Sequence, residues 1–173
     1  MSAVEPKPVL QLPVQDPELV RFTRYSGNFR WEGIATKEYK PSEGDMPGFC
    51  GILRQTLFGQ PEDAVGFEVR YFEIEPGGWS SLECHGHSHA VIGLRGKGQI
   101  LLGSEVKSLG FLDLAYIGPN QIHRLANDSN ETFGFICIVD HHRDRPLSLN
   151  PEDVPHLMAN PETARLAKRS ISE

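Results

Sequence analysis

The chain has 173 residues, enough for one domain with a sizeable core and too few for two comfortable ones. Its 39% hydrophobic and 23% charged residues are those of an ordinary globular protein, and a net charge of −6 with scattered Lys and Arg argues against nucleic acid or an anionic membrane surface as a partner. No stretch approaches the ~18 apolar residues of a membrane span, and the N-terminus (Met1 to Pro8) lacks the apolar core of a signal peptide. Cys50, Cys84 and Cys137 are an odd number without paired spacing, which predicts reduced thiols and a cytoplasmic protein.

In chain order, residues 1–28 read as an N-terminal arm. The first twenty carry four prolines and alternate without a helical period, as an extended segment would. Residues 29–39 predict one or two short strands, and Pro41 to Gly51 is too rich in turn residues for a regular element. Ile52 to Phe58 predicts a strand, followed by a loop over Gly59 to Asp63. From Val65 the strand signal recurs at short intervals. Phe67 to Ile74 alternates, Pro76-Gly77-Gly78 predicts a turn, and Arg95-Gly96-Lys97 predicts a hairpin connection between Ala90–Leu94 and Gly98–Leu102. Glu105–Lys107, Phe111–Ile117, Ile122–Leu125 and Thr132–Asp140 follow. Many short strands without strand–helix alternation predict an all-β sandwich or barrel over residues 29–145. In the tail, 146–173, Asn150-Pro151 and Asn160-Pro161 each place a cap before a proline, predicting one or two short helices.

The chemistry concentrates in residues 75–127. Glu83, His85, His87 and His89 recur every second residue, so a straight strand would point them to one face. It would also spread them over roughly 20 Å, too far for one ion. Glu83 and His85 are therefore read as a pair on one strand, with a turn through Gly86-His87-Ser88 and His89 opening the next strand. His123 approaches from elsewhere. Three imidazoles and one carboxylate suit a single divalent transition metal: Mn²⁺, Fe²⁺, Co²⁺, Ni²⁺ or Zn²⁺. Glu83 is either a ligand or a catalytic base on a bound substrate. His87 is a rim residue, or a replacement ligand if the register differs. Tyr71, Trp79, Tyr116, Phe135 and Cys137 are candidates for the cavity wall, with Phe67, Phe111 and Phe133 beside them. Arg70 and Arg124 are candidates to receive a substrate carboxylate. His141-His142 reads as a solvated exit loop.

At these residues the chain resembles the cupins. Gly96 lies seven residues after His89, which puts His89 in the glutamate slot of the first cupin motif, His85 in the second histidine slot and Glu83 in the first. The second motif recurs as Gly118-Pro119-Asn120-Gln121-Ile122-His123 followed by Arg124-Leu125-Ala126-Asn127, with Gly118 and Asn120 replacing the usual Pro and Gly. The likeness extends over residues 65–140 and is to small manganese-binding cupins with a four-histidine site, Glu83 standing for the fourth histidine. The resemblance implies a jelly-roll barrel and a homodimer, the latter also suggested by the proline-rich arm. Availability and the resemblance together put iron and manganese first among the metals.

Four protein ligands would leave coordination positions open, as a catalytic site requires. The first expectation is a metal-dependent, dioxygenase-type oxidoreductase acting on a small organic substrate. The alternatives are a metal-dependent lyase, isomerase or decarboxylase, and a non-catalytic small-molecule-binding protein.

Overall fold

The computed structural model describes residues 20–39, 49–61, 63 and 65–169. Most of the expected N-terminal arm therefore lies outside the described residues. Two compact units divide at Glu32/Gly33. In the first, β1 (Tyr25–Gly27) and β2 (Arg30–Trp31) form an antiparallel hairpin. Its tip residues Asn28 and Phe29 both take positive φ, the conformation a tight hairpin turn needs. The Tyr25 ring meets Trp31 edge-on at 5.6 Å, and its hydroxyl accepts the Phe29 N–H.

The second unit is a nearly closed antiparallel barrel. Its strands are β3 (Lys37–Glu38), β4 (Cys50–Phe58), β5 (Phe67–Trp79), β6 (Glu83–Cys84), β7 (His89–Arg95), β8 (Gly98–Leu102), β9 (Glu105–Leu109), β10 (Leu114–Ile117), β11 (His123–Ala126), β12 (Phe133–Asp140) and β13 (Leu147–Ser148). One wall runs β10-β7-β12-β5, extended by β4 and β3. The other is built from β9, β8, β11, β6 and β13, and the end of β5 joins it by pairing Trp79 with Ala126. A 3-10 turn at Pro151–Asp153 and helices α1 (Pro155–Met158) and α2 (Pro161–Ala167) follow. Asn160 caps α2 by accepting the Glu162 N–H, as Asn before Pro at the first helical position predicts. Among the described residues no helix is long and apolar enough to cross a membrane.

Period-two burial makes the barrel. Phe133, Phe135, Cys137 and Val139 of β12 and Phe72 and Ile74 of β5 all join one core cluster. Each such aromatic or aliphatic side chain contributes about 1.5–3 kcal/mol by leaving water. A second cluster forms where Trp79, Leu82 and Leu101 meet Leu157 and Leu166 of the helical tail.

Three sequence expectations are corrected by the way the walls are joined. Pro76-Gly77-Gly78 does not end a strand: β5 runs through it and bends from one wall into the other. Gly77 takes a φ of +78°, and a Cβ on Gly78 would lie 2.6 Å from the Cys50 carbonyl oxygen, so the bend needs both glycines. Arg95-Gly96-Lys97 is a crossover, because β7 pairs with β10 and β12 while β8 pairs with β9 and β11. The third is the regular segment starting inside the turn-rich run, with β4 beginning at Cys50.

Candidate metal centre

The candidate ligands come from four places that the barrel brings together. Glu83 lies on β6 and pairs directly across from His123, the first residue of β11. Its Oε1 is 3.8 Å from His123 Nε2. His85 follows β6, and His89 opens β7 in the opposite wall. Residues 85–88 are thus a bend between walls, and β6 and β7 do not pair with each other. Gly86 does not take the left-handed φ a tight reversal would use; side-chain hydrogen bonds hold the bend instead.

Each ring is oriented by its second nitrogen. His85 Nδ1 donates to the His87 carbonyl at 2.8 Å and His123 Nδ1 donates to the Gln121 carbonyl at 2.9 Å, which leaves both Nε2 atoms as lone-pair donors. His89 Nδ1 lies 3.3 Å from Cys137 Sγ. His85 and His89 bring their Nε2 atoms to 2.9 Å. Two ligands at right angles about 2.1 Å from a metal stand roughly 3.0 Å apart, so this pair is spaced like adjacent ligands. His123 Nε2 is buried with no hydrogen-bond partner among the described residues. That is an unfavourable state for a polar atom unless something else binds it.

Electrostatics favour the same outcome. Burial first, then the neighbouring imidazoles, lowers the pKa of His85 and takes that of His89 down to about 2. Burial also lowers His123. All three rings are therefore neutral, the form that ligates metals. Two overlapping sets, Glu83-His85-His123 and His85-His87-His89, hold their ligand atoms within 4.8 Å of one another. The donor set fits a divalent first-row ion.

His87 stacks on His85, with ring centroids 3.6 Å apart and planes within 5°. It is fixed there by Asp144, from the loop after β12. Asp144 Oδ2 accepts the Gly86 N–H at 2.7 Å, and Oδ1 accepts the His87 backbone N–H at 3.2 Å and Nδ1–H at 2.6 Å. The Gly86 amide and the His87 ring hold this carboxyl well below the usual carboxylate range. Sequence reasoning missed Asp144, whose position carries no spacing signal toward the histidine run.

The cavity beside the cluster is lined by Glu83, His89, His123, Arg70, Phe135 and Cys137, together with Tyr39, Phe72 and apolar residues. Burial raises the Cys137 thiol, so it stays protonated. Other wall candidates are elsewhere. Tyr71 lies on the opposite face of β5, where its hydroxyl donates to Glu73 and burial raises its pKa, because neighbours on a strand point to opposite faces. Trp79 packs against the helical tail after the bend in β5. Tyr116 is 71% exposed on β10, and Phe67 and Phe111 are exposed as well. Phe133 sits in the core. Arg124 does not face a ligand: its guanidinium donates to the carbonyls of Leu166, Ala167 and Arg169 and caps α2. His141 and His142 contact each other edge-on and join neither ligand set.

Comparison with known proteins agrees with this architecture. The cupin domain family matches residues 70–139. The chain is 35% identical over 143 residues to the 1-methylthio-D-xylulose 5-phosphate methylsulfurylase of Rhodospirillum rubrum, covering 83% of this chain and 89% of that protein. A cupin 2 conserved barrel domain protein from Rhodopseudomonas palustris superposes with a TM-score of 0.76 at 34% identity, over 84% of this chain and 97% of the other. A cupin 2 domain-containing protein from Halorhodospira halophila gives 0.63 at 38% identity, over 89% and 99%.

Proposed function

Because the chain belongs to the cupin family, we propose that it is a metal-dependent enzyme that breaks a carbon–sulfur bond next to the carbonyl of a small ketose phosphate. The observation that carries this reading is the convergence of Glu83, His85, His89 and His123 at a cavity, with His123 Nε2 buried and lacking a hydrogen-bond partner. The relative of 35% identity, named for methylsulfuryl chemistry on a methylthio ketose phosphate, directs the reading toward sulfur. A bound divalent ion would supply a Lewis acid for the substrate carbonyl.

The chain's own residues do the rest. His85, His89 and His123 are fixed in ring orientation by their Nδ1 contacts, so the site is preorganised. Glu83 Oε1, beside His123, either completes the ligand set or exchanges a proton with the substrate. Phe72, Phe135, Val91 and Leu125 keep the cavity wall apolar and limit water. The overall change balances with a thiol as co-reactant: the sugar carbon loses its methylsulfanyl group and gains a proton. The thiol gives up a proton and its sulfur bonds to the departing sulfur as a mixed disulfide.

This places the non-oxidative alternative ahead of the dioxygenase expected from the sequence. The test is to supply metal-loaded protein with 1-methylthio-D-xylulose 5-phosphate and a low-molecular-weight thiol without oxygen, and to follow the S-methyl signal by NMR. Transfer of that signal to a disulfide is the expected result. Turnover only in the presence of oxygen would restore the dioxygenase, and no turnover under either atmosphere would overturn the reading.

A further inference from the structure

Arg70 is a buried cation on the cavity wall that no step above uses. It lies on β5 with 6% of its surface exposed and lines the cavity that holds Glu83, His89 and His123. One guanidinium nitrogen donates to Cys137 Sγ at 3.4 Å, and the same sulfur lies 3.3 Å from His89 Nδ1. The guanidinium thus stands one sulfur atom behind a candidate ligand. Its plane is supported by Phe72, with the guanidinium carbon 5.3 Å from the ring centroid.

Its charge and hydrogen-bonding capacity are only partly met. Among the described residues Arg70 Nε is buried with no hydrogen-bond partner, and the one carboxylate beside it, Glu68 Oε2, is 3.9 Å away. Glu68 is shared, because its other oxygen accepts from Arg143 at 3.0 Å. With Arg143 the nearer partner of the Glu68 carboxylate, the Arg70 charge on this wall is only weakly offset. On the other side, a divalent ion with neutral imidazoles and Glu83 leaves one positive charge. Two positive charges flanking a low-dielectric cavity call for a dianion. A phosphate monoester, whose second pKa is about 6, supplies that charge at neutral pH, and its oxygens match the planar donors of a guanidinium.

We propose that Arg70 receives the phosphate of the substrate, so that this residue selects phosphorylated over unphosphorylated ketoses. The assignment rests on the reading of the site as a metal-dependent enzyme of ketose phosphates, and it makes Arg70 a binding residue, separate from the metal ligands.

Calorimetry with Mn²⁺-loaded protein tests it, using D-xylulose 5-phosphate and D-xylulose as probes. The wild type is expected to prefer the phosphate ester by about 30-fold, the scale of a charge-assisted hydrogen bond. Arg70→Gln is expected to lower that preference to the few-fold part the metal supplies while metal content and D-xylulose affinity stay unchanged, and Arg70→Lys to restore part of it. An undiminished preference in Arg70→Gln, or none in the wild type, overturns the proposal. Should Arg70→Gln not fold, Glu68→Gln replaces it as the deciding variant. Removing the competing carboxylate must tighten the phosphate ester, and unchanged or weaker binding overturns the assignment. Metal-free wild type separates the two readings: it is expected to keep a reduced preference for the phosphate ester through Arg70. A wild type that takes up no metal defeats the enzyme reading alone.

Discussion

His89 is kept neutral by burial and by the other imidazoles around it, and that has a consequence for the metal-free protein. Its folded-state pKa, about 2, lies far below the ~6.5 of an unfolded histidine, so the unfolded chain takes up the proton first. Stability is therefore intact above pH 6.5 and falls as the pH drops below it, by about 2 kcal/mol at pH 5 for this residue. Urea unfolding of metal-free protein at pH 7.5 and pH 5 checks the sign: equal stability at the two values would refute it. Substituting a candidate ligand should act on metal binding directly. His85→Ala and His123→Ala are each expected to lose bound metal on dialysis while remaining folded, as read by elemental analysis and circular dichroism. At this scale the sequence was informative where chemistry repeats at short range. The histidine run and the Pro-Asn-Gln-Ile-His segment stand out by residue type and spacing. Asp144 does not, since a single aspartate in a polar loop looks like any other, and its partners lie 57 and 58 residues away.

Among the elements, the bend at 85–88 depends on that aspartate. Removing the carboxylate in Asp144→Ala frees the Gly86 and His87 amides and lets His87 leave its stack on His85. Because groups that orient a ligand typically change metal affinity by about 10- to 100-fold, a loss of that size is expected in chelator competition. Full retention of affinity would show that the bend holds itself. Close approach of strands supplies a second prediction. A Cβ on Gly98 would lie 2.2 Å from the ring of the fully buried Phe133. Gly98→Ala should therefore cost about 1–3 kcal/mol in urea unfolding with the slope unchanged. Strand positions were legible from alternation, but strand partners were not. Local glycines marked Gly96 and Gly77-Gly78 as places where the chain changes direction, and only the tertiary pairing shows that it crosses between walls there.

For the whole molecule, the barrel ends at β10, an edge strand whose Leu114 and Tyr116 are 76% and 71% exposed. An apolar edge of this kind invites a further strand. We propose that a second copy of the chain covers it, in keeping with the homodimer implied by the cupin resemblance. Sedimentation should then give twice the chain mass, and Leu114→Glu should give the monomer. A wild-type monomer at micromolar concentration would remove the proposal. The all-β class was readable from the many short strands, whereas the role of the helical tail was not. Arg124, which looked free to greet a substrate, is engaged by the carbonyls at the end of α2.

The fastening of the ligand bend by Asp144 also orders events during synthesis. A ribosome releases Glu83, His85 and His89 first, His123 next and Asp144 last, so a nascent chain holds every candidate ligand before it holds the clasp that shapes them. Capture of an ion by these donors would then wait on arrival of the segment after β12, and a polypeptide halted short of it would carry the donors without the grip.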